Sequence, residues 1–156
     1  MAKKYQRAKL DDIKQFVNSR HIAFAGVSRD PKKFGNSAFK ELAKNQYHLY
    51  PVHPELEEFE GVKCYKSIAD LPDEVEALFI SVKPDHSLEL IKAAHQKGIG
   101  HIWLQQGSQN DEALDFAIEN NLNVIHRQCI LMFANPVEGV HKFHRGINRF
   151  FGIYPK

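Results

Sequence analysis

The sequence predicts an α/β fold: a Rossmann-like, doubly wound parallel sheet of about five strands, with helices on both faces and a C-terminal helical extension. Two observations support this prediction. Short apolar segments alternate with segments of helical periodicity at intervals of roughly twenty to thirty residues, which is typical of right-handed βαβ units. In addition, Ala77–Val82 is the strongest strand signal in the chain, with the apolar character expected of a parallel strand buried on both faces.

Hydrophobic periodicity places the individual elements. Five apolar segments are the predicted strands: Ile22–Ala25, Tyr47–Val52, Ala77–Val82, Gly100–Leu104 and Leu122–His126. Segments with apolar residues at helical spacing are the predicted helices: Leu10–Val17, Asn36–Lys44, Pro84 to Gly98, and Asp111–Asn121. Two shorter elements are predicted between the second and third strands: a brief edge strand at Gly61–Tyr65 and a helical turn at Ser67–Pro72.

Local chemistry supports several of these boundaries. Pro51 has no N–H to donate and belongs at the end of a strand. Pro84 is favourable in the first turn of a helix, and Gly98 is favourable just beyond its last turn. On the helix 111–121, Leu114, Ala117 and Ile118 are expected to face inward.

Length and composition predict one domain over residues 1–134, followed by a helical tail over 135–156. The net charge is only +2, so no general basic field favours nucleic acid. No apolar segment approaches the ~20 residues of a membrane span, and the N-terminus lacks the apolar region of a secretory signal. The two cysteines, Cys64 and Cys129, do not form a disulfide framework. These features predict a cytoplasmic protein with reduced thiols.

The loop after the first strand is the principal candidate site. Gly26 permits close backbone approach, Ser28 has a hydroxyl to donate, and Arg29, Lys32 and Lys33 supply positive charge. Because the loop leads into a helix, its free N–H groups favour an anion such as a phosphate. Gly35 and Asn36 lie where the helix is expected to begin, with Asn36 as a candidate cap. The alternative is an ordinary βα loop with a turn at Asp30-Pro31.

Other loops are expected to meet this one at the same edge of the sheet, where ligands of open α/β folds bind. They follow the second, third and fourth strands at Pro51–Pro54, Lys83–Asp85 and Gln105–Asn110. The second of the four loops lacks the acidic residue that binds the ribose diol of NAD, and the first does not spell G-x-G-x-x-G. This disfavours NAD and leaves NADP and coenzyme A, which both carry a phosphorylated ribose.

Four motifs in order then carry a resemblance to a known family. They are Ala25-Gly-Val-Ser-Arg-Asp-Pro-x-x-Phe-Gly-Asn36, Tyr50-Pro-Val-His-Pro54, Ile102-Trp-x-Gln-x-Gly107 and the later Cys129. Over roughly residues 10 to 133 the chain resembles the small stand-alone CoA-binding proteins, which are similar to the N-terminal CoA-binding domain of the succinyl-CoA synthetase α subunit. The resemblance implies that CoA or an acyl-CoA lies across the strand ends.

The resemblance also implies which residues bind the ligand. The phosphates are expected at Gly26, Ser28, Arg29, Phe34, Gly35 and Asn36, and Val27 and Lys33 of the same loop are also expected to contact the ligand. The adenosine side is expected at Pro51, Val52, His53 and Pro54, and the remaining contacts at Val82, Lys83, Pro84, Gln105 and Gly107. Members of the family often have Asn in place of His53 and a basic residue in place of Glu55. Recognition of the 3′-phosphate is therefore assigned either to His53 as a donor or to Arg29 and Lys33.

The sequence predicts binding without catalysis, because no orienting acid stands near the candidate pair His126 and Cys129. An NADP-dependent reductase or an acyl-CoA-handling enzyme that uses this pair is the alternative. Cys129 is interpreted as a small buried hydrophobe, with a mixed disulfide to CoA as the other interpretation. His141 and His144 lie at i, i+3 but lack an obvious third metal ligand, so no metal site is predicted.

The tail contains an apolar stripe that includes Val140, Phe143 and Ile147, with basic residues between. Three interpretations stay open for it: packing on the domain, homodimerisation, and a basic helix on a membrane surface.

Overall fold

The computed structural model describes Tyr5 and residues 8–133. Within these residues the strands, in chain order, are β1 (His21–Ala25), β2 (His48–Pro51), β3 (Glu58–Phe59), β4 (Val62–Lys63), β5 (Ala77–Ile80), β6 (His101–Leu104) and β7 (Asn123–His126). The α-helices are α1 (Leu10–Asn18), α2 (Phe34–Lys44), α3 (Ser87–Lys97) and α4 (Asp111–Glu119). Five of the strands form one parallel sheet in the order β2-β1-β5-β6-β7. The predicted α/β class and parallel sheet are confirmed.

Hydrophobic side chains fill both faces of the sheet, because successive residues of a strand point to opposite sides. On one face, Phe24, Phe79 and Trp103 pack with α1 and α2. On the other face, residues such as Leu78 and Ile102 pack with α3 and α4. Trp103 is fully buried, and its indole N–H donates to the carbonyl of Gln128 at 3.2 Å.

The segment between β2 and β5 differs from its prediction. In place of a single edge strand at Gly61–Tyr65, the chain forms an antiparallel hairpin of β3 and β4. Glu60 and Gly61 turn the hairpin with φ of 50° and 76°, a conformation that glycine adopts without steric cost. Tyr65 then pairs in parallel with Val52, and this bridge brings the following residues beside the end of β2.

Two helix predictions also need correction. Pro84 begins a 3-10 turn, Pro84–His86, and the α-helix starts only at Ser87. Ile118 is 58% exposed, so its predicted inward position is wrong. The physical reason is that β7 is the last strand of the sheet, so Ile118 lines an open cavity between α4 and β7 that no further described element covers. By contrast, Gly98 ends α3 in the left-handed conformation, as predicted.

Strand order fixes where a ligand can enter. From β1 the chain passes through α2 to β2 on one side, and it then crosses to β5 on the other side. The carboxyl ends of β1 and β5 are therefore the topological switch point, at which the crevice of an open α/β sheet lies. The predicted helical tail over 135–156, with His141 and His144, lies outside the described residues.

Candidate functional site

A cleft of about 670 Å³ opens at the switch point. Its floor lies where two strands end. Gly26 follows β1 there, and Ser81 and Val82 follow β5. The described residues that line the cleft are Gly26, Val27, Ser28, Lys33, Phe34, Gly35, His53, Ser81, Val82, Lys83, Pro84, His86, Gln106, Gly107 and Ser108. Three of the four loops expected to meet at this edge contribute several of these residues, and the β2 loop contributes His53.

The amino end of α2 faces this cleft. Lys33 precedes the helix and lines the cleft together with Phe34 and Gly35, the first two helical residues. The first N–H groups of a helix have no intrahelical acceptor, and the helix dipole adds positive potential there. No acidic residue lies in the first turn of α2. This end of the cleft is therefore suited to an anion.

The side chain of Asn36 holds the β1 loop in place through three hydrogen bonds. Its Oδ1 accepts from the N–H of Ser28 at 2.8 Å, and its Nδ2 donates to the carbonyls of Ser28 and Asp30 at 2.8 and 3.0 Å. The side chain is buried and does not line the cleft. The predicted capping role is wrong, because α2 begins at Phe34, after Lys33 as its N-cap residue. Asn36 instead ties the loop to the first turn of the helix.

The turn predicted at Asp30-Pro31 is present within the same loop. The Asp30 carboxylate accepts from the N–H of Lys32 at 3.0 Å, and its carbonyl accepts from Lys33 at 3.1 Å. Ser28 lines the cleft, while its Oγ accepts from the N–H of Asp30 at 3.1 Å. The turn that the sequence offers as the alternative is therefore present, and the inner side of the loop faces the cleft.

Arg29 lies outside the lining and forms an ion pair with Glu55. The guanidinium Nη1 is 3.0 Å from the Glu55 carboxylate, and both side chains are about two-thirds exposed. The pair joins the β1 loop to the β2 loop. Exposed pairs contribute little to stability, about 0–1 kcal/mol, so its main effect is to compensate the Glu55 charge beside the cleft.

A more apolar cavity of about 470 Å³ continues from the cleft toward β2 and α3, and the two share Gly26, Val27, His53, Val82 and His86. Its other lining residues are Ala25, Val52, Pro54, Lys66, Ser67, Ile68, Glu89, Leu90 and Ala93. Val52 and Pro54 thus lie where the sequence predicts the adenosine side. Pro51 does not line it, because this residue is the buried end of β2, opposite Phe24.

His53 is held in one orientation by the β2 loop. Its Nδ1 accepts from the N–H groups of Glu55 and Leu56, both at 3.0 Å. Burial lowers the pKa of His53, and the positive charges of Arg29 and Lys66 act in the same direction against the opposing effect of Glu55. Because Nδ1 is the acceptor, the neutral ring carries its proton on Nε2. His53 therefore brings an N–H donor to the boundary between the two cavities.

On the other side, Lys83 and Pro84 line the cleft as predicted from the sequence, and Gly107 does so too. Gln105 does not: it is buried, and its Oε1 accepts from the N–H of Ile130 at 3.1 Å. The adjacent Gln106 lines the cleft instead.

Sequence reasoning missed several lining residues. These are Ser81, His86, Gln106 and Ser108 in the cleft, and Lys66, Ser67, Ile68, Glu89, Leu90 and Ala93 in the apolar cavity. A partial signal exists for Leu90 and Ala93, which are spaced i, i+3 on one face of a helix that follows the central loop. No comparable signal marks Lys66, because its position depends on the bridge between Val52 and Tyr65.

The candidate catalytic pair lies elsewhere. Neither His126 nor Cys129 lines the cleft or the apolar cavity. Cys129 is only partly buried, against the core on the α1 and α2 face, whereas the sequence predicts a buried residue. His126 lines a separate cavity of about 350 Å³ between α4 and β7, which shares no residue with the cleft.

Two negative findings bear on function. Among Tyr5 and residues 8–133, no three His, Cys, Asp or Glu side chains are grouped so as to hold a metal ion. Within the same part of the chain, none of the helices has the length and apolar character needed to cross a membrane.

Comparison with known proteins gives consistent matches. Over 147 residues the chain is 29% identical to subunit alpha of acetate–CoA ligase (ADP-forming) II from Pyrococcus furiosus, covering 87% of this chain and 30% of that protein. It is 25% identical over 120 residues to the uncharacterized protein YneT of Bacillus subtilis, covering 76% and 89% of the two chains. The structure of a hypothetical protein from Pyrococcus horikoshii superposes with a TM-score of 0.73 at 32% identity, covering 81% and 93%.

The chain spans less than a third of the length of the ligases that it matches. The family described as CoA binding domain matches residues 20–135, which include all five strands of the parallel sheet and the residues that line both cavities. The chain therefore belongs to the CoA-binding domain family.

Proposed function

We propose that this protein binds coenzyme A or an acyl-CoA across the carboxyl ends of β1 and β5, and that it does so without catalysing a reaction. One observation carries the proposal. The cleft, which includes a helix amino end suited to an anion, adjoins the apolar cavity and shares five lining residues with it. Coenzyme A combines the same two features, a pyrophosphate and an adenine, on neighbouring parts of one molecule.

The shape of the cleft suggests the orientation of the ligand. The pyrophosphate occupies the amino end of α2, near Gly26–Ser28 and Lys33. The adenine enters the apolar cavity between Val52 and Leu90. The pantetheine arm then runs along the other end of the cleft, toward Gln106. Phe34, the first residue of α2, lines the cleft and is 38% exposed, so its large apolar side chain is available to contact the ligand.

Absence of catalysis is proposed from the residues that face the ligand. Neither cysteine lines the cleft, and Cys64 is buried, with a pKa that burial raises. A raised thiol pKa reduces the thiolate fraction that acts as a nucleophile. Nδ1 of His53 is already engaged by two backbone N–H groups. The reductase or acyl-CoA enzyme based on His126 and Cys129 is not favoured, because neither residue lines the cleft.

The proposal is tested by thermal unfolding in the presence of CoA, acetyl-CoA, NAD, NADP and ATP at equal concentration. A ligand that binds only the folded state stabilises it by about 2.7 kcal/mol at one hundred times its dissociation constant. We expect CoA and acetyl-CoA to raise the melting temperature, and NAD and NADP to leave it near that of the free protein. Stabilisation by NADP without stabilisation by CoA would contradict the proposal.

The remaining partner prediction, a homodimer formed through the tail, falls on residues 135–156 and stays a prediction, as does the cytoplasmic location. Among the residues that the structure describes, those that line the cleft and the apolar cavity lie between Ala25 and Ser108.

A further inference from the structure

One lysine lies at the adenosine end of the cleft. Of the described residues that line the apolar cavity, Lys66 is the only lysine or arginine. Resting on the proposed function, we propose that Lys66 binds the ribose 3′-phosphate of the ligand and makes the site selective for 3′-phosphorylated CoA.

Backbone pairing fixes the position of Lys66. The preceding residue, Tyr65, donates its N–H to the carbonyl of Pro51 at 2.8 Å and accepts from the N–H of His53 at 2.9 Å. These two bonds form an isolated parallel bridge between Tyr65 and Val52, just beyond the end of β2, so Lys66 follows directly beside the β2 loop. The sequence predicts the adenosine side in the loop Pro51–Pro54. Lys66 belongs to a later segment of the chain.

The ammonium group of Lys66 is held by weak contacts. Its Nζ donates to the carbonyl oxygen of Glu55 at 3.2 Å and lies 3.9 Å from the carboxylate of Glu57. The Lys66 side chain is half exposed, and that of Glu57 is 91% exposed. A phosphate offers this ammonium a shorter, charge-assisted hydrogen bond than either present contact. Lys66 can therefore exchange partners without leaving a buried group unsatisfied.

Among the described residues, three other cations lie in or beside the cleft, namely Lys33, Lys83 and Arg29, and none of them lines the apolar cavity. Lys33 lines the part of the cleft at the amino end of α2, where the pyrophosphate is proposed, and does not line the apolar cavity. Arg29 lines neither cavity and is bonded to the Glu55 carboxylate. Arg29 thus offsets a negative charge that would otherwise repel a phosphate near Lys66.

The chemistry of the ligand brings its 3′-phosphate to this place. The ribose joins the adenine to the pyrophosphate, so it must lie at the boundary of the two cavities, near His53. A phosphate on its 3′-oxygen projects from that boundary toward the rim beside the β2 loop, where Lys66 lies. His53 supplies a neutral donor there, whereas Lys66 supplies the charge.

The test is calorimetric titration with CoA and with 3′-dephospho-CoA, at low and constant ionic strength. The proteins are the wild type, Lys66→Met, Lys66→Arg and the control Lys63→Met, in which the replaced lysine lies on β4 outside both cavities. We expect the wild type to bind CoA at least about tenfold more tightly than 3′-dephospho-CoA, the size of one charge-assisted hydrogen bond. Lys66→Met should remove this preference and leave the affinity for 3′-dephospho-CoA unchanged. Lys66→Arg should keep most of the preference, and Lys63→Met all of it.

The two proposals fail in different ways. Equal binding of CoA and 3′-dephospho-CoA by the wild type, or an equal loss for both ligands in Lys66→Met, overturns the role of Lys66 while the proposed function stands. No binding of either ligand by the wild type overturns the proposed function and the role of Lys66 with it. Since 3′-dephospho-CoA lacks only the group in question, its unchanged affinity also shows that the variant is folded.

Discussion

Replacing Gly35 with alanine is expected to destabilise the fold by about 3 kcal/mol, the upper part of the range for overpacking a well-filled site. A Cβ at this position would lie 1.9 Å from the carbonyl oxygen of Gly26 and 2.7 Å from its carbonyl carbon. These are backbone atoms at the end of β1, and they cannot rotate away as a flexible side chain can. Either α2 or the end of β1 must move, and both form the wall of the cleft.

Gly100→Ala is the matched control. This glycine precedes β6, has no neighbouring atom within 4 Å of the place that an added methyl group would occupy, and is not among the residues with positive φ. Urea unfolding of both variants measures the difference, with an effect within about 0.5 kcal/mol expected for the control. If Gly35→Ala unfolds at the same urea concentration as the wild type, the close packing of α2 on β1 is not what shapes the cleft.

Replacing Asn36 with alanine is expected to cost about 3 kcal/mol of stability and to weaken CoA binding by about tenfold or more. Three hydrogen bonds are lost, each contributing about 1 kcal/mol. The N–H and carbonyl of Ser28 both lose their partner, so the loop no longer keeps its shape against α2. Binding weakens because an anion site made of backbone N–H groups depends on that shape.

Asn120→Ala is a suitable control for this variant. The Asn120 side chain donates one hydrogen bond, to the carbonyl of Phe116 at 2.8 Å, and lies at the end of α4 outside both cavities. A loss near 1 kcal/mol and unchanged CoA affinity are expected for it. Unfolding curves and calorimetry on the two variants make the comparison. A stable Asn36→Ala protein with wild-type affinity would show that the loop is organised by other contacts.

The sequence predicts the fold well where the pattern is local. Buried parallel strands are short apolar runs, and the strand–loop–helix unit from β1 to α2 lies almost entirely within one continuous stretch of chain. The loop after β1, which we propose to bind an anion, and Gly35 can therefore be located from residue types and spacing. The inward position predicted for Ile118 is wrong because helical spacing marks a stripe of apolar residues but does not show how far the neighbouring sheet extends.

Side-chain roles within the site are less predictable, because they depend on orientation. Gln105 and Gln106 are neighbours, yet the first points into the core toward Ile130 and the second lines the cleft. Asn36 has the right chemistry for a cap, but its amide reaches back to the loop. Neither outcome is encoded in residue type alone, since each depends on which backbone groups lie within reach.

The positive charge at the adenosine end is also hard to predict from the sequence, because the residue that supplies it lies outside the loops expected to form the site. A carboxylate at Glu55 removes positive charge from the β2 loop, and the sequence alone offers only Arg29, Lys33 or His53 in compensation. The structure instead brings Lys66 to this cavity through the pairing of Tyr65 with Val52. That pairing follows the β3–β4 hairpin, which the sequence does not predict as a pair of strands.

The position of the ligand is tested most directly by following backbone amide resonances of the ¹⁵N-labelled protein during titration with CoA. Glycines serve as reporters because they lie both inside and outside the cleft. We expect the amides of Gly26, Gly35 and Gly107 to shift, and those of Gly61, Gly98 and Gly100 to remain in place. Saturable shifts confined to Leu114, Ile118 and the rest of the α4–β7 cavity, or no shifts at all, would contradict binding of CoA across the ends of β1 and β5.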